Sequence, residues 1–283
     1  MGSSAFRAAG ILMAAVFVAN AGISTPEETA PRYYLGFDRN DYPGDDAMKL
    51  LRRDFVFNGY WLGNPPGENQ NSWSGKREFL RSLGFGFLVL YRGREEHELA
   101  NVKDPIQFGG EEAETAAQAA KREGFPSNTI IFLDIEEGGR LSPAYHSYIQ
   151  GWLWTLTQRG FQGGFYCSGI QVREDAQSTI TTADDIMRFL FPKSRAFSMW
   201  VFNDSCPPSP GCVVPKGAPA PSRSGMAYAQ IWQFVRSPRD KQTARHCQGY
   251  AKDGNCYSAL DSAHRFHLDV NSATSPDPSG GAR

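Results

Sequence analysis

The chain has almost no excess charge of either sign: 29 lysines and arginines stand against 30 aspartates and glutamates, for a net charge of −1. A nucleic-acid binder needs a basic face, and this balance argues against one. Cysteine is sparse, at five in 283 residues. After the first eighteen residues no segment is apolar enough to cross a bilayer. There is no internal repeat, which excludes a solenoid. The 29 glycines and 18 prolines follow no period, which excludes a collagen-like or low-complexity architecture. What is present is core material. Hydrophobic residues make up 41% of the chain and aromatic ones 13%, too much for global disorder.

The ends differ from the middle. Arg7, the apolar run from Ala8 to Val18, and Ala19-Asn20-Ala21 match the charge, apolar stretch and small-x-small cleavage pattern of an export signal. Residues 1–21 are therefore expected to be a signal peptide, 22–31 a polar linker, 32–271 one folded domain, and 272–283 (SATSPDPSGGAR) a disordered tail. The expected location is secreted or periplasmic. Cysteine placement agrees with export. Cys206 and Cys212 flank a proline-rich turn, Cys247 and Cys256 flank a glycine-containing loop, and two short loop-closing disulfides are the expected pairing. Cys167 is left over as a buried thiol. Neither pair has the C-x₂₋₄-C spacing of a zinc site, so no metal is expected.

The middle alternates strand-like and helix-like segments. Apolar, β-branched and aromatic runs at 33–38, 55–62, 86–91, 129–136 and 163–167 read as parallel strands buried on both faces. Helical patterns lie at 111–123, 143–159 and 184–190, the second with Ser142 as N-cap and Pro143 at the first helical position. Three further strand patterns at 198–202, 228–234 and 266–270 are separated by Pro-, Gly- and Cys-rich segments without a helical stripe. The fold class this implies is α/β: a TIM-type β/α barrel of eight strands with helices mainly after the first five.

Barrel enzymes carry their chemistry at strand ends. Asp38 ends the first run, Asp134 and Glu136 the fourth, and Asp269 the eighth. Residues two apart on a strand point the same way, so Asp134 and Glu136 are expected to face the barrel mouth together. Such a cluster suits glycoside hydrolysis, which needs one protonated carboxyl for the leaving oxygen and charged ones to steady an oxocarbenium-like transition state. Like charges packed together raise one pKa and so supply the acid. Tyr60, Trp61, Tyr91, Tyr166 and Trp200 are the candidate sugar platforms. Asn203, Gln233 and Asn271 are the candidate hydrogen-bonding groups for sugar edges.

These motifs, in order, resemble the family 25 glycoside hydrolases, the lysozyme-type muramidases. Gly36-Phe37-Asp38-Arg39-Asn40-Asp41-Tyr42-Pro43-Gly44 is similar to their opening motif and Asp134-Ile135-Glu136 to their D-x-E. Gly164-Phe165-Tyr166, Met199-Trp200-Val201, Trp232-Gln233-Phe234 and Leu268-Asp269-Val270-Asn271 are similar to their later strands. Asn40 and Pro43 stand where that family usually has Ser and Gln. The chain more closely resembles a sister group of secreted bacterial glycoside-hydrolase-like barrels of uncharacterised function. The resemblance implies Glu136 as proton donor, with Asp134, Asp38 and Asp269 as the acids around it. It implies hydrolysis of peptidoglycan or another extracellular polysaccharide, or carbohydrate binding without turnover on a degenerate barrel. No cofactor, no metal and no nucleic-acid partner is expected, and a monomer is.

Overall fold

The computed structural model describes residues 1–2, 32–192, 196–209, 211–215, 217–239, 241–247, 250, 254–258, 260 and 266–282. The chain divides into two compact units, 1–31 and 32–283. The signal-peptide and linker expectations fall on the first, where all but Met1 and Gly2 lie outside the described residues.

In the second unit eight strands close a barrel. In chain order they are β1 (Tyr34–Asp38), β2 (Phe57–Trp61), β3 (Gly86–Arg92), β4 (Ile130–Asp134), β5 (Gln162–Ser168), β8 (Phe197–Phe202), β9 (Ile231–Val235) and β10 (Asp269–Ala273), with β6 (Val172–Arg173) and β7 (Thr179–Ile180) forming a separate two-stranded ribbon. Helices α1 (Asp45–Leu51), α2 (Arg77–Ser82), α3 (Glu96–Leu99), α4 (Pro105–Arg122), α5 (Pro143–Gln158) and α6 (Thr182–Leu190) fall between β1 and β8, and among the described residues only the short α7 (Lys241–His246) lies after β9. The TIM-type barrel with its helices concentrated early is thus as expected. The fully buried Phe37, Phe57, Phe87, Phe132, Phe165 and Trp200 belong to strands β1 to β8 of this wall.

Three features depart from the sequence reading. First, β10 runs antiparallel to both neighbours, β1 and β9, with Asp38 directly opposite Asp269 and Gly36 opposite Asn271. Asp269 therefore begins its strand. Reversal of direction brings a strand start to the end of the barrel where the parallel strands finish, so the acid still reaches the mouth.

Second, α4 begins at Pro105, capped by the Asp104 side chain accepting from Gln107 N–H at 3.0 Å, earlier than the expected 111. Gly109 and Gly110 read as helix breakers, but the crossing of α4 on α5 needs them. A methyl at Gly109 would overlap the Tyr148 carbonyl oxygen, and one at Gly151 would overlap that of Ile106. Close backbone approach outweighs the roughly 1 kcal/mol helix cost of each glycine.

Third, the C-terminal stretch is ordered. Ser272 and Ala273 complete β10, and the remainder wedges between the starts of β3 and β4, at the end of the barrel away from the acids. Ser279 N–H donates to the Phe87 carbonyl (2.9 Å), Ile130 N–H donates to the Ser279 carbonyl (2.8 Å), and Val89 N–H donates to Ser279 Oγ (2.8 Å). Asp277 accepts from Phe87, Gly281 and Ala282 N–H at 2.9, 3.1 and 2.9 Å. A segment poor in apolar side chains is held here by backbone hydrogen bonds that satisfy strand ends, a signal composition does not carry.

Asp277→Ala strips a charged acceptor from three backbone N–H groups and should cost about 2 kcal/mol. Thermal unfolding should show a midpoint several degrees lower. An unchanged midpoint would mean the C-terminal wedge adds nothing to stability.

Candidate functional site

The mouth lies at the C-terminal ends of the seven parallel strands and the start of β10. Asp38 (β1) and Asp134 (β4) are buried there, Asp269 (β10) is half-buried, and Glu136, two residues beyond the end of β4, stands exposed at the rim. The strand is thus shorter than expected, and Glu136 reaches the mouth from a loop. Asp38 stands opposite Asp269 in register and Asp134 beside Tyr166, and the charges of all four acids add to the rise that burial gives the Tyr166 hydroxyl.

Two hydrogen-bonded relays hold Asp38. The Tyr166 hydroxyl donates to Gln233 Oε1 at 2.9 Å, and Gln233 Nε2 donates to Asp38 Oδ1 at 3.0 Å. Trp200 Nε1 donates to Asn271 Oδ1 at 2.9 Å, and Asn271 Nδ2 donates to the same Asp38 oxygen at 2.6 Å. The outer donors fix which way each amide turns, so Asp38 meets two N–H groups and acts as acceptor. Burial raises the Asp38 pKa to about 6, against the pull of the two amides, and Glu136 adds to the rise.

Asp134 is pushed well above the usual carboxylate range, by burial first and then by the charges of Glu136 and Asp38. It hydrogen-bonds to Glu136, with the more deeply buried Asp134 as donor. Glu136 is raised by the protein crowding its carboxyl, while Arg236 and the hydrogen bond from Asp134 pull it down. Asp269 is raised by burial and by Asp38, against a 2.6 Å hydrogen bond from Ser237 N–H. Crowded carboxylates of this kind hold protons at pH values where isolated ones are ionised.

Two openings adjoin the acids. A recess of about 380 Å³ is lined by Arg39, Asn40, Asp41, Ser237, His267 and Asp269. A crevice of about 30 Å³ reaches Asp134 and Glu136 past Pro66, Arg92 and Glu95. Asn40 donates to the Pro66 carbonyl at 2.9 Å, so this departure from the muramidase motif ties the loop after β1 to the loop after β2.

The remaining candidates divide. Tyr166, Trp200, Gln233 and Asn271 belong to the relays. Trp61 caps the top of β2 but is buried, its Nε1 donating to the Arg39 carbonyl at 3.1 Å. Tyr60 lies on the opposite face, packed on Trp73, Phe87 and Phe125 with its hydroxyl on Glu123 at 2.5 Å. Alternation along β2 sends it outward into the helix layer. Tyr91 likewise faces outward onto Trp152, 5.4 Å between ring centroids. Asn203 is spent on the backbone, donating to the Ser224 carbonyl at 2.9 Å and accepting from Ser205 N–H at 3.3 Å.

Sequence reasoning missed two arginines. Arg92, the last residue of β3, pairs in register with Asp134, and Arg236 follows β9 with its charge acting on Glu136 and Asp269. Both stand at strand ends (LYR and QFVR), the positional signal that singled out the acids.

Residues 64–207, half of the chain, match the model of the family described as Rv2525c-like, glycoside hydrolase-like domain. An uncharacterised protein from B. stearothermophilus has a similar structure, at TM-score 0.56 and 20% identity, covering 85% of this chain and 95% of its own. The Tat-secreted protein Rv2525c of Mycobacterium tuberculosis, solved with L-tartrate, is similar at TM-score 0.51 and 14% identity, covering 88% of this chain and 98% of its own. Both likenesses bear on the fold. No curated protein matches the chain.

The raised Asp38 pKa gives a signed test. A carboxyl that is harder to ionise in the folded state binds more protons there than in the unfolded chain, so it weakens the fold as pH rises through the interval between the two pKa values. For Asp38 that interval runs from 3.8 to about 6. Asn at this position accepts the same two amide donors without the charge. The stability of the native chain relative to Asp38→Asn should fall by up to about 3 kcal/mol between pH 4 and pH 8, measured by urea unfolding. A pH-independent difference would show that Asp38 is not desolvated.

Proposed function

The chain belongs to the Rv2525c-like glycoside hydrolase-like family, and from that premise we propose that it is an exported glycoside hydrolase acting on peptidoglycan or another extracellular polysaccharide. The observation that carries this is the gathering of Asp38, Asp134, Glu136 and Asp269 about Tyr166. Export is supported by the N-terminal pattern of Arg7, the apolar run and Ala19-Asn20-Ala21.

Each group has a role that follows from its surroundings. Glu136 is the acid within reach of a substrate oxygen, because it is exposed at the rim. Asp134 is pushed further up than Glu136, keeps its own proton and donates it in a hydrogen bond, while Glu136, also raised, carries the proton that is transferred. As Glu136 gives its proton to the leaving glycosidic oxygen, the hydrogen bond from Asp134 strengthens to the carboxylate that forms. On a substrate with a 2-acetamido group, Asp134 also supports attack of that group on the anomeric carbon. Asp38, fixed as an acceptor by Gln233 and Asn271, stabilises positive charge on the sugar ring, and Asp269 orients substrate or water at the recess.

A second reading is carbohydrate binding without turnover. It is favoured by the size of the openings. The crevice at Asp134 and Glu136, about 30 Å³, holds about one water, while the neighbouring recess of about 380 Å³ is the size of a small ligand site.

Purified chain and its Glu136→Gln variant, incubated with peptidoglycan and a polysaccharide panel, separate the two. Reducing ends released by the native chain, and released about 10²–10⁴-fold more slowly by the variant, are expected for hydrolysis. Retention on a glycan with no release by either protein would favour binding alone. The rate should also rise through about pH 6 as Asp38 ionises, and fall again at higher pH as the Asp134–Glu136 pair loses its proton.

A further inference from the structure

The cysteines do not pair as their spacing along the chain suggested. The disulfide joins Cys212 to Cys256, 44 residues apart, with a Cα–Cα distance of 4.4 Å. Two loops that each looked self-closed are instead tied to one another. Cys167 lies buried in β5, and Cys206 and Cys247 are thiols. Those last two are hydrogen-bonded to each other.

We propose that Cys206 and Cys247 form a second disulfide, parallel to Cys212–Cys256, that clamps the loop leaving β8 to the segment following α7. The two stretches are held face to face by contacts that do not involve sulfur. Arg239 Nη1 donates to the Asp204 carbonyl at 2.5 Å, to Asp204 Oδ2 at 2.7 Å and to the Tyr250 hydroxyl at 2.8 Å. The Tyr250 hydroxyl in turn donates to the Asp204 carbonyl at 3.4 Å. Two residues beyond Asp204 and three before Tyr250 stand the two thiols. Packing has thus brought the two stretches that carry these thiols together before any bond forms.

The exchange is balanced with a small-molecule disulfide as oxidant. Half-buried Cys206 attacks it as the thiolate, forming a mixed disulfide and releasing one thiol. Cys247 then attacks the Cys206 sulfur, forming Cys206–Cys247 and releasing the second thiol. The oxidant gains the two electrons that the cysteines lose, and their two protons leave with the released thiols. Burial and the neighbouring Cys206 push the Cys247 thiol up to about 11, which makes it a poor first attacker on a free disulfide.

The clamp acts on the mouth through Asp204. This carboxylate pairs with Arg239 and stands 3.6 Å from Arg236 Nε. Arg236 is the arginine whose charge bears on Glu136 and Asp269. The first disulfide packs under the same residue, with both sulfurs 3.8 Å from the Arg236 carbonyl oxygen. Two cystines would therefore brace one arginine at the rim from either side.

The full chain is equilibrated with oxidised and reduced glutathione, denatured, alkylated and digested without reduction. The expected result is a fall from five alkylatable thiols in the reduced chain to one, at Cys167, with Cys206 linked to Cys247. Cys206 and Cys212 share the tryptic peptide 196–216, so the link is also read in Cys212→Ser/Cys256→Ser, where a Cys206–Cys247 bond should still form. Should that variant not fold, tandem fragmentation of the native cluster between Cys206 and Cys212 assigns the partners. Quantitative alkylation of Cys206 and Cys247, or a Cys206–Cys212 or Cys206–Cys256 link, overturns the proposal.

Discussion

The structure turns on burying like charges. Two aspartates are enclosed at the barrel mouth, a third is half-enclosed and a glutamate closes the rim, and desolvation is the first cause of the raised pKa in every one of them. Unpaired buried charge is among the most expensive features a fold can hold. No arginine makes an ion pair with any of the four among the described contacts; Arg236 and Arg92 act on them only through their fields. Burial raises the pKa of every one of these carboxyls, and Asp134 hydrogen-bonds to Glu136. Asp38 meets two amide N–H groups at one of its oxygens, and Asp269 meets one backbone N–H. Acids set side by side in unlike surroundings, Asp134 with a carboxyl for partner and Asp38 with two amides, have the asymmetry that acid-assisted chemistry needs.

That asymmetry depends on the reversed strand. With β10 antiparallel, Asp269 and Asn271 stand on one face at its start, the first opposite Asp38 and the second bonded to it. A parallel strand in this place would put its first residues at the far end of the barrel. The chain then continues past β10 to the far end, where its last residues close the gap between β3 and β4. One reversal thus supplies the mouth with two site residues and the base with its plug.

Much of this was legible in the sequence, because strand ends in a barrel are marked. A run of apolar residues that stops on an acid gives the acid and, through alternation, its inward direction. That logic picked out Asp38 and Asp134, and Asp269 with its strand direction reversed; Gln233 and Asn271, chosen for sugar edges, instead hold Asp38. It failed where position along the strand matters by one residue. Tyr60 and Trp61 are adjacent, and only the second faces the mouth; composition treats them alike, whereas the pleat separates them completely. It failed for the tail because serine, proline and glycine look the same whether solvated or hydrogen-bonded to strand ends. It failed for the cysteines because nearness in sequence was taken as nearness in space. The long excursion between β9 and β10 returns across the loop after β8, and the pairing follows the return path.

The aromatic residues give the last step. In an open sugar cleft, tyrosine and tryptophan lie with a ring face toward solvent. Here Trp61, Tyr166, Trp200 and Trp232 are all buried, and their polar atoms are committed to Arg39, Gln233, Asn271 and Asn203. They act as braces for the acids and their loops. The recess beside them is lined by loop residues: Arg39, Asn40 and Asp41 after β1, Ser237 after β9, and His267 before β10. These are charged or polar side chains on connections between strands. The barrel therefore separates two tasks physically, with a buried ring that sets proton affinity and a polar rim that sets what can approach it.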